Sequence, residues 1–333
     1  MSSDPVRLGV AGLGGMGLVH ARNALALPDA RLVAVAAARP GRAGEVAREL
    51  GVDACTYADL FAREDVDAVV VAARSVDHAE VAAAALAAGK HLLLEKPGAT
   101  TLAGHDLLRS AVRPKIVVQL GYQRRFDAAF GDARRRVAEG AIGEPLVVLA
   151  TSRDIEWPEG ELPAETGGFL LDMAVHDYDV ACWFLGGAPV EVSAARQARV
   201  YPELETLGDL DNALVTIRFA DGGAAVTHVS RTCAFGHDVR CEIVGSEGSM
   251  FVGDAGVGLV TARDRARFPQ DFRERFADAY RAELTAFVDA CRGGPMRGAT
   301  LDDDRRAVEI GIAARASAVA GEPREVGREW PWP

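Results

Sequence analysis

The sequence lacks what several protein classes require. Its five cysteines, Cys55, Cys182, Cys233, Cys241 and Cys291, are odd in number, scattered and never spaced C-x-x-C. Neither a disulfide framework nor a zinc cluster is expected, and a reducing cytoplasm fits that usage. Apolar runs such as Val69 to Ala73 and Val81 to Ala88 are far too short to span a bilayer. No basic, apolar leader precedes the first strand, so a secretory signal is not expected. Basic residues are in the minority, 37 Lys and Arg against 48 Asp and Glu, for a net charge of −11. That balance argues against a general binder of nucleic acid or anionic membranes and leaves room only for a local basic patch. Internal repeats and low-complexity tails are missing too.

What is present is a soluble globular composition, 49% hydrophobic and 26% charged over 333 residues, enough for two domains with cores of their own. Val6 to Ala11 reads as a strand leading into Gly12-Leu13-Gly14-Gly15-Met16-Gly17, and a helical pattern follows through His20, Ala21, Ala24 and Leu25. Strand, G-x-G-x-x-G, helix is the dinucleotide fingerprint: one glycine for the tight turn, one for approach to the pyrophosphate, one for helix packing. The helix amides then face the phosphates. An acid after the second strand, Arg31 to Ala36, would bind the ribose 2′-hydroxyl, but the chain reads Ala36-Ala37-Ala38-Arg39-Pro40-Gly41-Arg42. Small residues beside Arg39 and Arg42 make room and charge for a 2′-phosphate, so the reading leans to NADP or dual use. Solvated arginines and NAD binding without that contact are the alternative.

Asp67 to Ala72 is expected as a third strand buried on both faces, followed by a helix from Asp77 to Ala88 with Gly89 as its C-cap. The strand His91 to Leu94 ends in Glu95-Lys96-Pro97, which places Lys96 beyond a carboxyl end, where such sheets bind ligands. A helix from Leu102 to Val112, a strand from Lys115 to Leu120, and a helix capped by Asp127 complete a doubly wound parallel sheet.

After Gly143-Glu144-Pro145 the pattern changes. A strand from Leu146 to Thr151 enters Ser152-Arg153-Asp154 and a Pro- and Glu-containing loop to Pro163. A helix is expected from about Gly168 to Leu185. Strand-like runs at Val190–Val200, Asn212–Phe219, Ala224–Thr232, Val239–Val244 and Ser249–Val252 are joined partly by tight glycine turns. They predict a largely antiparallel sheet. Helices Asp271–Cys291 and Leu301–Ala320 close the chain. The expected division is 1–124 for the dinucleotide-binding domain and 125–333 for an α+β substrate and oligomerisation domain, with the last helices free to pack back on the first.

In Gly167-Gly168-Phe169-Leu170-Leu171-Asp172-Met173-Ala174-Val175-His176-Asp177-Tyr178-Asp179, the spacing i, i+4, i+7 puts Asp172, His176 and Asp179 on one helical face. A histidine between carboxylates can handle protons; a solvated acidic face with an incidental histidine has the same pattern. His20, His78, His91, His105 and His228 read as surface or supporting residues.

In this order the motifs resemble the Gfo/Idh/MocA oxidoreductase family over essentially the full length: Gly12 to Gly17, Glu95-Lys96-Pro97, Gly143-Glu144-Pro145, and Asp172 with His176. Within the family, Arg124-Arg125-Phe126-Asp127, Cys241-Glu242-Ile243-Val244-Gly245, Arg275-Phe276 and Ala279-Tyr280 look like the inositol 2-dehydrogenases. The resemblance implies a Rossmann domain and NAD(P)-dependent oxidation of a cyclitol alcohol, such as myo-inositol to its 2-ketone. It implies a catalytic group of Lys96, Asp172 and His176. Substrate contacts would come from Arg125, Asp154 and Asp179 as well, with Phe235 and His237 where relatives use tyrosines. Cofactor contacts would come from Gly12, Gly14, Gly15, Met16, Gly17, Arg39, Glu95 and Lys96. No metal is expected, and a homodimer or homotetramer is. Alternatives are a dehydrogenase of a sugar or amino-cyclitol, an NAD-assisted glycosidase, and a nucleotide-sensing regulator with a broken catalytic set.

Overall fold

Alternating strands and helices in the first half build a parallel sheet, and a run of strands in the second half builds another. The computed structural model describes residues 4–39, 41–157, 163–253 and 269–330. Pro40, in the turn after the second strand, and residues 158–162, in the Pro- and Glu-containing loop, lie outside the described residues.

The first sheet forms from β1 (Val6–Ala11), α1 (Gly15–Ala26), β2 (Ala30–Ala36), α2 (Arg42–Leu50), β3 (Asp53–Cys55), α3 (Tyr57–Ala62), β4 (Ala68–Val71), α4 (His78–Ala87), β5 (His91–Glu95), α5 (Leu102–Ala111) and β6 (Val118–Gly121). Its order is β3-β2-β1-β4-β5-β6, and each neighbouring pair is parallel. This is the doubly wound arrangement, with its switch point between β1 and β4. The strand expected third is therefore fourth. β3 is three residues long and largely exposed, too short and too wet to show an apolar pattern.

The second sheet follows α6 (Ala128–Ala138) and comprises β7 (Pro145–Arg153), then, after α7 (Pro163–Thr166), α8 (Phe169–Asp172) and α9 (Val175–Leu185), the strand β8 (Pro189–Gln197). A short α10 (Glu203–Thr206) precedes β9 (Asn212–Phe219), β10 (Ala224–Ser230), β11 (Asp238–Gly245) and β12 (Ser249–Val252). The chain ends through α11 (Phe272–Arg275), α12 (Ala277–Cys291), α13 (Leu301–Ala320) and β13 (Arg324–Glu325). Sheet order is β12-β11-β7-β10-β9-β8-β13. Neighbours are antiparallel except β7 and β10, which run parallel at the centre.

Two compact units result: Met1–Phe126 with Asp278–Arg305, and Asp127–Ala277 with Arg306–Pro333. The core of the first joins Leu8, Val10, Val35, Val70 and Leu93 of the sheet to Leu284, Phe287 and Val288 of α12. In the second, Gly311 of α13 lies so close to Leu171 that a Cβ would meet its side chain at 2.5 Å. Among the described residues no helix is long and apolar enough to cross a membrane.

Candidate active site

In the first unit, Gly12 holds a φ of +101°, and a Cβ there would meet the Ala72 carbonyl oxygen at 2.2 Å. The loop after β1 is thus pressed against the loop after β4, at the switch point. Gly17 is as tightly confined, its Cβ position 1.8 Å from the Gly12 oxygen. Gly14 differs: nothing lies within 4 Å of its Cβ position. It is the N-cap of α1, with no side-chain cap and no acid in the first turn. An uncapped, positively polarised helix end behind a residue with no side chain fits a pyrophosphate. Gly15 and Met16 open the same helix. Arg42 reaches over the loop, its Nε donating to the Leu13 oxygen at 3.4 Å, and Arg39 is exposed just beyond β2.

Lys96 stands at the carboxyl end of β5 in a turn fixed on every side. Its amide donates to Glu95 Oε2 at 3.3 Å. The Pro97 oxygen is 2.8 Å from His78 Nδ1, whose other ring nitrogen is 3.0 Å from the Ala73 oxygen. The Gly98 amide donates to Asp304 Oδ2 at 2.9 Å, and Tyr122 donates its hydroxyl proton to Asp304 Oδ1 at 2.7 Å. Lys96 itself is half-buried. Glu95, expected to meet the cofactor, turns its carboxylate inward, where His20 Nε2 lies 2.7 Å from Oε1. His20, His78 and His105 are all buried rather than at the surface. Burial holds the His78 imidazole below its usual range. Arg125, expected on the polyol, points a guanidinium nitrogen at Asp303, 3.4 Å away.

In the second unit the expected single helix is broken. Asp172 ends α8 and His176 stands in the first turn of α9. Between them Ala174 donates to the Phe169 oxygen, five residues back, and Asp177 then donates to Ala174. One wide turn and one tight turn thus interrupt the ladder, so the three residues do not share one continuous helical face. Asp172 and His176 are half-buried, whereas Asp179 is buried. α8 starts where the Phe169 amide donates to Asp209 at 3.0 Å, and Arg231 pairs with Asp209 at 3.5 Å while lying over the Phe169 ring at 4.6 Å. Burial raises the Asp209 carboxyl and Arg231 opposes it. Ser152 of β7 donates to Asp177 at 2.7 Å, tying α9 to the sheet.

Asp154 and His237, both expected on the substrate, meet: Nδ1 is 2.8 Å from Oδ1. The Phe272 ring packs edge-on against His237 at 5.8 Å. Phe235 contributes its carbonyl oxygen to Gln270 at 3.1 Å. Asp209, Arg231, Ser152, Asp304 and Glu283 carry no local motif and were not expected; only their burial and distant partners mark them.

Residues 6–122 match the model of an oxidoreductase family with an NAD-binding Rossmann fold, and residues 130–251 match the GFO/IDH/MocA C-terminal domain. The chain belongs to the GFO/IDH/MocA oxidoreductase family. It is 36% identical to the scyllo-inositol 2-dehydrogenase (NAD(+)) of Bacillus subtilis, over 96% of this chain and 95% of that one. It is 34% identical to the myo-inositol 2-dehydrogenase of Thermotoga maritima, over 94% and 96%. A crystal structure of scyllo-inositol dehydrogenase from Lactobacillus casei with bound NAD(H) and scyllo-inositol matches with a TM-score of 0.87 at 29% identity, covering 98% of this chain and 100% of that one.

Proposed function

We propose that this family member is an NAD-dependent dehydrogenase that oxidises one secondary alcohol of a cyclitol, myo- or scyllo-inositol, to the ketone. The observation that carries the reading is the Lys96 turn, anchored through Glu95, His78 and Asp304 at the carboxyl edge of a sheet whose first helix is open to a pyrophosphate. The nicotinamide, when bound, supplies the carbon that accepts hydride. Lys96 hydrogen-bonds the reacting oxygen and stabilises the negative charge it develops. His176 takes the hydroxyl proton as general base, and Asp172 orients it and stabilises the imidazolium. Asp154 with His237, Asp179 and Arg125 select among similar ring hydroxyls by geometry. Glu95 serves the site from inside, through the Lys96 amide, rather than by touching the cofactor.

Myo- and scyllo-inositol differ in configuration at one carbon, and oxidation there gives the same ketone, so product identity does not separate them. The experiment is one panel: myo-, scyllo- and chiro-inositol and glucose, each with NAD and with NADP, followed by absorbance of the reduced cofactor. Turnover with an inositol supports the reading. Silence with all four favours a sugar-derivative or glycosidase activity. Exposed Arg39 supports tolerance of a 2′-phosphate; Arg39→Ala should weaken NADP more than NAD, and equal effects would dismiss that preference.

The chain assembles with copies of itself through the outer face of the second sheet, where Leu149, Leu214 and Phe251 are 40%, 53% and 58% exposed. Sedimentation of the wild type and of Phe251→Glu tests this. Free thiols at all five cysteines support a reducing compartment.

A further inference from the structure

Three ionisable side chains meet in the core of the first unit: His20 of α1, Glu95 at the end of β5 and Glu283 of α12. Their ligand-type atoms lie within 4.8 Å of one another. His20 and Glu283 are fully buried and Glu95 nearly so. Glu95 has both oxygens engaged, His20 Nε2 standing 2.7 Å from Oε1 while Oε2 accepts the Lys96 amide; among the described residues His20 Nδ1 has no hydrogen-bond partner. Neither carboxyl oxygen of Glu283 has a hydrogen-bond partner among the described residues. The backbone of Glu283 is fixed independently, its carbonyl accepting from Gln119 Nε2 at 3.1 Å. The Tyr280 ring closes the site edge-on to His20 at 6.2 Å.

Two carboxylates this close in a dry core cannot both ionise without strong repulsion, and one must keep its proton. Geometry decides which. Glu95 has a histidine on one oxygen and an amide on the other, and Lys96 adds positive charge nearby. Glu283 has Glu95 and His20 beside it. We propose that Glu283 acts as a neutral carboxylic acid and as a positioning residue: its proton faces Glu95, keeps that carboxylate ionised, and so holds Lys96 in place. The direction of its titration agrees, since burial and the Glu95 charge push the Glu283 carboxyl well above the ordinary range, whereas Glu95, despite burial, is held below it by His20 and Lys96. The proposal rests on the reading of Lys96 as the residue that meets the substrate oxygen, but its test does not depend on turnover.

The chain has only three lysines, Lys90, Lys96 and Lys115, so carbon-13 methyl labelling of lysines gives a spectrum in which Lys96 can be assigned through a Lys96→Arg variant. The full-length protein at neutral pH should show the infrared carbonyl band of a protonated carboxyl, and Glu283→Gln should remove it. The labelled Lys96 resonance should shift in Glu283→Leu and return to its wild-type position in Glu283→Gln, whose neutral amide keeps a polar, uncharged group beside Glu95. If Glu283→Leu does not fold, Glu95→Gln should produce the Lys96 shift instead. A wild-type spectrum without that band would overturn the proposal. So would a Lys96 resonance indifferent to the Leu and Glu95→Gln changes, or a stoichiometric divalent metal in the purified protein that Glu283→Gln abolishes.

Discussion

Asp304 accepts the backbone amide of Gly98 at 2.9 Å across 206 residues of sequence, and so pins the turn that presents Lys96. Its other oxygen, Oδ1, accepts the Tyr122 hydroxyl, and a Cβ on Gly98 would strike Oδ2 at 2.6 Å. Asp304→Ala leaves two buried donors without an acceptor and should cost at least about 2 kcal/mol. Lower turnover should accompany it, because the lysine is no longer held. Urea unfolding and steady-state kinetics check both; wild-type stability would show that the turn stands without this anchor.

His176→Ala should lower kcat by roughly 10²–10⁴-fold, the usual scale for losing a general base. Near-wild-type turnover in that variant would remove His176 from the mechanism.

Two glycines of one loop should fail in different ways. Gly12→Ala forces a side chain against the Ala72 oxygen at a φ of +101°, and should lower stability by more than about 1 kcal/mol. Gly14→Ala meets no protein atom, so it should lose at most about 1 kcal/mol, alanine being the poorer N-cap, while NAD binds about tenfold more weakly, or about 1.4 kcal/mol. Calorimetry with and without NAD separates the two; unaltered NAD affinity in Gly14→Ala would move the pyrophosphate elsewhere.

His105 is a source of acid lability. Burial lowers its imidazole from 6.5 to about 4, Arg305 and Arg109 adding to the shift and Asp106 opposing it. Asp304 Oδ2 is 3.4 Å away, without a hydrogen bond to it. Because the folded value is the lower one, the unfolded chain binds the proton first as pH falls. Stability from this group is therefore complete above about 6.5 and drains away down to about 4, in all about 3 kcal/mol. Unfolding free energies over that interval should fall less steeply in His105→Gln; an unchanged slope would place the lability elsewhere.

Much of this was readable locally. The glycine loop, the Lys96 strand end and the Asp127 cap, which accepts the Ala129 and Phe130 amides, depend on residues within a few positions of each other. Asn212–Phe219 and Ser249–Val252 stand where their alternation and turns place them. The break after Asp172 was not readable, because nothing in Met173-Ala174 disfavours helix. Asp209, which caps the Phe169 amide from 40 residues away, fixes where α8 starts and was equally hidden. The parallel pairing of β7 with β10 and the inward turn of Glu95 depend likewise on partners distant in sequence. Local pattern reports which face is apolar; it does not report which buried donor a remote acid will claim.

The first unit borrows α12 from the far end of the chain, Leu284, Phe287 and Val288 filling the same core as β1 and β4. A ribosome therefore releases every strand of the dinucleotide sheet long before the helix that completes it. Through all of that interval the second unit is being made, and the apolar face that α1 and α2 cover in part lacks the share that α12 will supply. A fragment stopped at Phe126 would inherit the same defect: the first sheet is not a detachable module, and its core becomes whole only once α12 has been made.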